Sequence, residues 1–152
     1  MGYGFPAAMG AQRAFPDKLV IDVAGDGSIQ MCIQELATGV IEKLPIKIIV
    51  LNNSYLGMVR QWQDMFYARR YSGTDLTGNP DFVALAEAHG AVGLRCGDRE
   101  KVVETLEQAM EVDDVPVMVD FAVSKEENVF PFIPAGKSFE DLIECPMAKE
   151  DE

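Results

Sequence analysis

Three stretches of the chain are apolar almost without a break: LVIDVA at residues 19–24, IKIIVL at 46–51 and VPVMVDFAV at 115–123. They are rich in β-branched residues and lack a clean polar alternation, the pattern of strands covered on both faces. GLRC at 93–96 is a weaker fourth. Between these runs the period changes. Ile29, Cys32, Ile33, Leu36, Ala37, Val40 and Ile41 recur at three and four residues, which predicts an amphipathic helix over 28–43 with Ser28 at its start and Pro45 helping to end it. NPDFVALAEAHG predicts another, with Asn79 as cap, Pro80 at the first helical position and Gly90 as stop. Val102, Val103, Leu106, Ala109 and Met110 mark a further helix, and Met58, Trp62, Met65 and Phe66 share helical spacing that ordinarily means core. Alternating strands and helices predict an α/β fold: an open parallel sheet with helices on both faces, three layers in all, joined by right-handed crossovers. Ligands in such folds sit beyond the carboxyl ends of the strands.

Composition fits one domain, since 152 residues can bury roughly 70% of the surface of the unfolded chain. Three cysteines at irregular spacing argue against a disulfide framework, and no CxxC pair or His/Cys spacing suggests zinc. Cys32, Cys96 and Cys145 are expected as thiols, the first two buried. A net charge of -12 without a basic stripe disfavours nucleic acid and anionic membrane surfaces. The opening residues lack a cationic start followed by an apolar block, and no run approaches the roughly 20 apolar residues of a membrane span, so a cytoplasmic location is expected.

Gly25, Asp26 and Gly27 follow the first strand directly and precede a helix, a place where free N–H groups and small residues favour an anionic ligand. A carboxylate there would repel phosphate unless a cation lay between them. The second strand ends on Asn52 and Asn53, at the same edge of the sheet. Magnesium takes oxygen ligands and commonly keeps water and phosphate in its shell, so a carboxylate, an amide oxygen and a carbonyl would suffice. Alone, the GDG reads as a turn and the asparagines as loop residues. At matching strand ends they become specific.

GDG followed by NN, with residues 28–51 between, resembles the thiamine diphosphate motif. MGYGFPAAMGAQ, GDGSIQMCIQELAT, LNNSYLGMVRQWQDMFY and EENVFPFIPAG resemble consecutive blocks of the acetohydroxyacid (acetolactate) synthase catalytic subunit, covering nearly all of the chain except the acidic end AKEDE. The resemblance implies Asp26, Asn53 and the Tyr55 carbonyl as Mg2+ ligands, with Asn52 the weaker candidate. Gly25, Gly27, Ser28, Gly57 and Met58 would lie near the diphosphate. Met1 would support the bent cofactor, Met31 would lie near the same pocket, and Met58 and Trp62 would line the substrate pocket.

The resemblance further implies decarboxylation of pyruvate and condensation of the two-carbon unit with pyruvate or 2-oxobutyrate, in branched-chain amino-acid biosynthesis. The family's activating glutamate belongs to a separate N-terminal domain of a neighbouring subunit, and its FAD is held mainly by a middle domain. Residues 1–152 would thus be one C-terminal cofactor domain of a longer polypeptide, with an extension from 131 to 152, inactive by itself. Its expected partners are the remaining catalytic-subunit domains, in a homodimer or tetramer with a regulatory small subunit.

Two alternatives stand beside this reading. Another thiamine enzyme, such as a pyruvate oxidase, a glyoxylate carboligase or a 2-oxo acid decarboxylase, would share the cofactor motif. A dinucleotide-binding module would need the GxGxxG after a strand that this chain lacks. Arg60, Arg69 and Arg70 are expected in solvent or at an interface, and His89, before a helix-stop glycine, has no assigned role.

Overall fold

The structure, a computed structural model, describes residues 1–145; the acidic end lies outside these residues. Four parallel strands form one sheet: β1 (Ile21–Gly25), β2 (Lys47–Asn52), β3 (Val92–Cys96) and β4 (Val117–Ala122), in the order β1-β2-β4-β3. All four coincide with the apolar runs. The helices are α1 (Gly4–Ala14), α2 (Asp26–Ile29), α3 (Glu35–Ile41), α4 (Gly57–Phe66), α5 (Phe82–Ala88) and α6 (Val102–Met110).

Neighbouring residues of the two central strands, β2 and β4, serve opposite cores, as the two-residue period requires. Ala24, Ile48, Val50 and Met118 face one core with Phe5 and Ala8 of α1, Leu36 of α3 and Phe82 and Ala86 of α5. Val117, Val119 and Phe121 face a second, with Ile49 beside them and Leu106 and Ala109 of α6 above. Both faces therefore carry helices. On the second face α6 packs against β3 and β4, while Ile21, Val23 and Leu51 remain 46%, 64% and 43% exposed.

Helix α1 lies in a glycine-rich stretch for which the periodicity gives no helix. Phe5, Ala8 and Gln12 are its buried stripe, and the Gln12 amide donates to the carbonyls of Phe15, Pro16 and Lys18, which fixes the turn into β1. The helix expected over 28–43 begins instead at Asp26, with Gly25 as the extended residue before it, so Ser28 is not its cap. It then tightens into a 3-10 turn at Gln30–Cys32 before resuming as α3. Asn79 is also not a cap. Asp81 caps α5, accepting from the Val83 and Ala84 amides at 2.9 and 3.1 Å, and Pro80 lies outside the helix. Gly90 ends it with φ of 84°, which a side chain would resist. Among the described residues no helix is long and apolar enough to cross a membrane.

Candidate functional site

In the parallel pairing of β1 with β2, Gly25 lies beside Leu51, so Asp26 leaves the sheet next to Asn52, the last residue of β2, which still pairs with Ala122 of β4. The chain turns sharply after β2. Asn52 donates to Asp120 Oδ1 of β4 at 3.0 Å and accepts from the Ser54 amide at 3.2 Å, which holds Ser54 at φ of 58°. Both ends of the Asn52 amide are thereby engaged, and it is Asn53 that lines the cleft.

Tyr55 forms an isolated antiparallel bridge with Asp75, flanked by bonds from the Leu56 amide to the Thr74 carbonyl and from the Leu76 amide to the Ser54 carbonyl. In that arrangement the N–H and C=O of Tyr55 itself point away from residues 74–76. The amide meets Asn53 Oδ1 at 3.0 Å, so the Tyr55 carbonyl and the Asn53 side-chain oxygen are offered on one side.

Asp26 is 1% exposed. Burial pushes its carboxyl above the usual carboxylate range, while the amides of Gly27, Asp26 and Ser54 and the side chain of Asn79 pull it down. A cation beside it would restore the charged form.

These groups meet in a cleft of about 430 Å³ walled by Met1, Val23, Leu51, Leu56 and Val59, with Gly25, Asp26, Gly27, Ser28, Asn53, Tyr55, Gly57 and Met58 in its lining. Nine of the expected site residues are thus brought together, although several have structural duties as well. A Cβ on Gly27 would stand 2.6 Å from Leu56 Cδ2 and 3.0 Å from Leu76 Cδ1, so its missing side chain makes room for the loop; at Gly25 the same space is open. A Cβ on Gly57 would reach 3.1 Å from Asn53 Nδ2. Ser28 Oγ accepts from the Gly2 amide at 3.1 Å, tying the first residues beside the cleft. Met31 does not line the cleft: it is 60% exposed and packs over Gly2.

Along α4 the cleft opens towards a second recess of about 670 Å³, lined by Met58, Val59, Trp62, Gln63, Tyr67 and Arg70. Trp62 meets Phe66 edge to face at 5.7 Å and Phe132, from the C-terminal segment, at 6.1 Å. Arg60 corrects an expectation. Its guanidinium lies between the rings of Tyr55 and Tyr71, at 5.4 and 5.1 Å, with a side chain only 12% exposed, because cation-π attraction holds it out of water. His89 Nδ1 lies 2.9 Å from the Leu85 carbonyl, at the end of α5 and away from the cleft lining.

Four side chains with no part in the site expected from the sequence support it: Gln30, Gln61, Asn79 and Asp120. Only Asn79 left a signal, because two cap-type residues, Asn79 and Asp81, precede a single helix start and one of them is spare.

An open parallel α/β domain that gathers Asp26, Asn53 and Tyr55 beyond two strand ends has the oxygen donors that could hold a cation and, through it, a phosphate. The family model for the C-terminal TPP-binding domain of thiamine pyrophosphate enzymes matches residues 1–121. The chain therefore belongs to the thiamine pyrophosphate enzyme family and carries its C-terminal cofactor-binding domain.

It is 50% identical over 146 residues to acetolactate synthase large subunit IlvB1 of Mycobacterium tuberculosis, covering 93% of this chain and 24% of that one. To the acetolactate synthase large subunit of Parasynechococcus marenigrum it is 47% identical over 151 residues, 99% of this chain and 24% of the relative. A solved structure, the thiamine diphosphate-dependent 4-hydroxybenzoylformate decarboxylase of Rhodococcus jostii RHA1, superimposes with a TM-score of 0.75 at 35% identity, over 82% of this chain and 23% of that one. The chain spans about a quarter of the length of these relatives.

Proposed function

We propose that this chain is the cofactor-holding C-terminal part, one domain with an extension from residue 131, of an acetolactate synthase catalytic subunit. It would act on pyruvate, with pyruvate or 2-oxobutyrate as second substrate. The observation that carries the reading is the meeting of Asp26, Asn53 and the Tyr55 carbonyl in one cleft, in a chain about half identical to named synthases. The oxygen-only donor set fits Mg2+, and the open space at Gly25 fits a bulky group close to the backbone.

When bound, thiamine diphosphate supplies a nucleophilic carbon and a place for the electrons released as carbon dioxide leaves a 2-oxo acid. The chain contributes position and environment. Asp26, Asn53 and Tyr55 would hold Mg2+ against the diphosphate, cancelling charge that the buried carboxylate would otherwise repel. Met1, Gly27, Ser28, Gly57 and Met58 would line its path, while Val23, Leu51, Met58 and Val59 would give an apolar wall beside it, closed to water once the neighbouring domains cover it. Trp62, braced by Phe66 and Phe132, would form the far wall against the second 2-oxo acid.

FAD, the activating glutamate and the contacts of a homodimer or tetramer with a regulatory small subunit would reside mainly outside this chain. The exposed Ile21, Val23 and Leu51 face is suited to be covered by such domains. The decarboxylase likeness leaves a 2-oxo acid decarboxylase as the competing reading, at lower identity than the synthases.

In the full-length protein, Asp26→Ala should abolish Mg2+-dependent binding of thiamine diphosphate, measured by calorimetry, with the fold retained. Unchanged affinity in a folded variant would overturn the metal assignment. Product analysis of the unaltered enzyme with pyruvate, acetolactate against free aldehyde, separates synthase from decarboxylase.

A further inference from the structure

Asn79, displaced from the capping role by Asp81, is held on both sides of its amide. Its Nδ2 donates to Asp26 Oδ2 at 3.0 Å, and its Oδ1 accepts from Gln30 Nε2 at 3.0 Å. Asp26 and Gln30 stand four residues apart on the same helical turn, so their side chains share a face and Asn79 bridges them from across the cleft's rim. The bridge is also fixed from below. The Asn79 amide donates to the Leu76 carbonyl at 2.9 Å, the Leu76 amide donates to the Ser54 carbonyl at 2.8 Å, and Asp75 Oδ1 accepts from the Thr77 amide at 2.8 Å. The same loop that shapes Tyr55 therefore carries Asn79.

The direction of each bond is determined. The ionised Asp26 carboxylate only accepts, so the Asn79 NH2 group must face it, which leaves Asn79 Oδ1 for the Gln30 NH2; the reversed Asn79 amide would set oxygen against oxygen at Asp26 and NH2 against NH2 at Gln30. A carboxylate that can rotate is a poor ligand for an ion demanding near-octahedral geometry. With one oxygen held by Asn79, rotation of the Asp26 carboxylate would break that bond. Gln30 in turn keeps Asn79 from rotating.

We propose that Asn79, locked by Gln30, is a positioning residue that fixes the Asp26 carboxylate for the divalent cation. This rests on Asp26 being a Mg2+ ligand and extends it to a second rank of side chains. Partners of metal ligands commonly carry about 10 to 100-fold in metal affinity. A packing role and a hydrogen-bonding role make opposite demands at this position. Asn79→Asp preserves shape but replaces the donor with a like charge against Asp26, whereas Asn79→Ala removes shape and bond together.

The test is made on the full-length protein with saturating thiamine diphosphate, using Mn2+ binding read by electron paramagnetic resonance and Mg2+ affinity read by calorimetry. Asn79→Ala should weaken metal binding by about tenfold and Asn79→Asp by more. Gln30→Ala should weaken it in the wild-type background and add nothing to Asn79→Ala, because it acts through Asn79. Gln30→Ala also tests the contact without altering the loop, should the Asn79 variants fold poorly. Asn79→Asp binding metal as tightly as the wild type, or more tightly than Asn79→Ala, overturns the positioning role. If Asp26→Ala abolishes metal binding in the same series, the ligand assignment survives that failure. If Asp26→Ala leaves metal affinity intact, the ligand assignment falls and the positioning role falls with it.

Discussion

Gln61, on α4 one residue before Trp62, is 1% exposed and directs both ends of its amide at one residue of the C-terminal segment, with Nε2 also 3.9 Å from Met65 Sδ. Its Oε1 accepts from the Val129 amide at 2.8 Å, and its Nε2 donates to the Val129 carbonyl at 3.1 Å. Three residues further on, Phe132 pairs with Ile143 through two backbone bonds and packs against Trp62 and Phe66. The clip at Val129 therefore stands between the C-terminal segment and the Trp62 wall of the second recess.

Gln61→Met removes both bonds while nearly filling the same volume, which isolates hydrogen bonding from packing. At about 1 kcal/mol net per bond, the loss is about 2 kcal/mol in the local opening of the segment. That corresponds to a roughly thirtyfold loss of protection. Hydrogen exchange at the Val129 amide reads this directly, with the amides of α5 as an unaffected reference. Trp62 is the only tryptophan of these 152 residues, so in this chain its emission should shift to the red as Phe132 loosens. Wild-type protection at Val129 in the Gln61→Met variant would show that the aromatic cluster holds the segment and that the clip contributes nothing.

What the sequence made legible was governed by short-range rules. The four strands were readable because buried parallel strands are continuous apolar runs, and parallel direction then brings Asp26 and Asn53 to one edge without further information. Helix α1 was not readable, because glycine and alanine blur the contrast between its faces and Gln12 lies on the buried one. The cap of α5 was misread because Asn79 before proline satisfies the same local rule as Asp81, and what separates them is a carboxylate 53 residues away. Arg60 reads as a surface charge until the loop 74–76 and the turn after α4 bring two tyrosine rings around it. Asn52 and Asn53 are interchangeable in the sequence; Asp120, from the far end of the chain, takes one into the sheet and leaves the other to the cleft. The residues that line the cleft were thus visible, while those that orient them depend on contacts no local pattern encodes.

In the full-length enzyme, Trp62→Leu should lower the preference for 2-oxobutyrate over pyruvate as second substrate by at least about tenfold, since a methylene against an apolar wall is worth roughly 1 to 3 kcal/mol. The ratio of acetohydroxybutyrate to acetolactate in direct competition reads it, and an unchanged ratio in an active variant returns Trp62 to a packing role. Asp22 gives a prediction about pH. It lies on β1 with 5% exposure against Gly4 of α1, and its Oδ2 is buried without a hydrogen-bond partner among the described residues. Burial pushes its carboxyl above the usual value, so the folded chain holds this proton more tightly than the unfolded chain, whose value is about 3.9. The stabilisation from that proton is full below about pH 3.9 and is lost as pH rises through the folded value. Asp22→Asn cannot ionise and escapes the loss. Asp26, also raised, is common to both proteins and cancels in their difference. Urea midpoints measured at pH 4 and pH 7 should therefore show the variant gaining on the wild type by about 1 kcal/mol or more as pH rises, the order of the cost of an unpaired buried charge. An equal difference at the two pH values would mean that Asp22 ionises in the folded chain as freely as in water, and that its orphaned oxygen costs nothing.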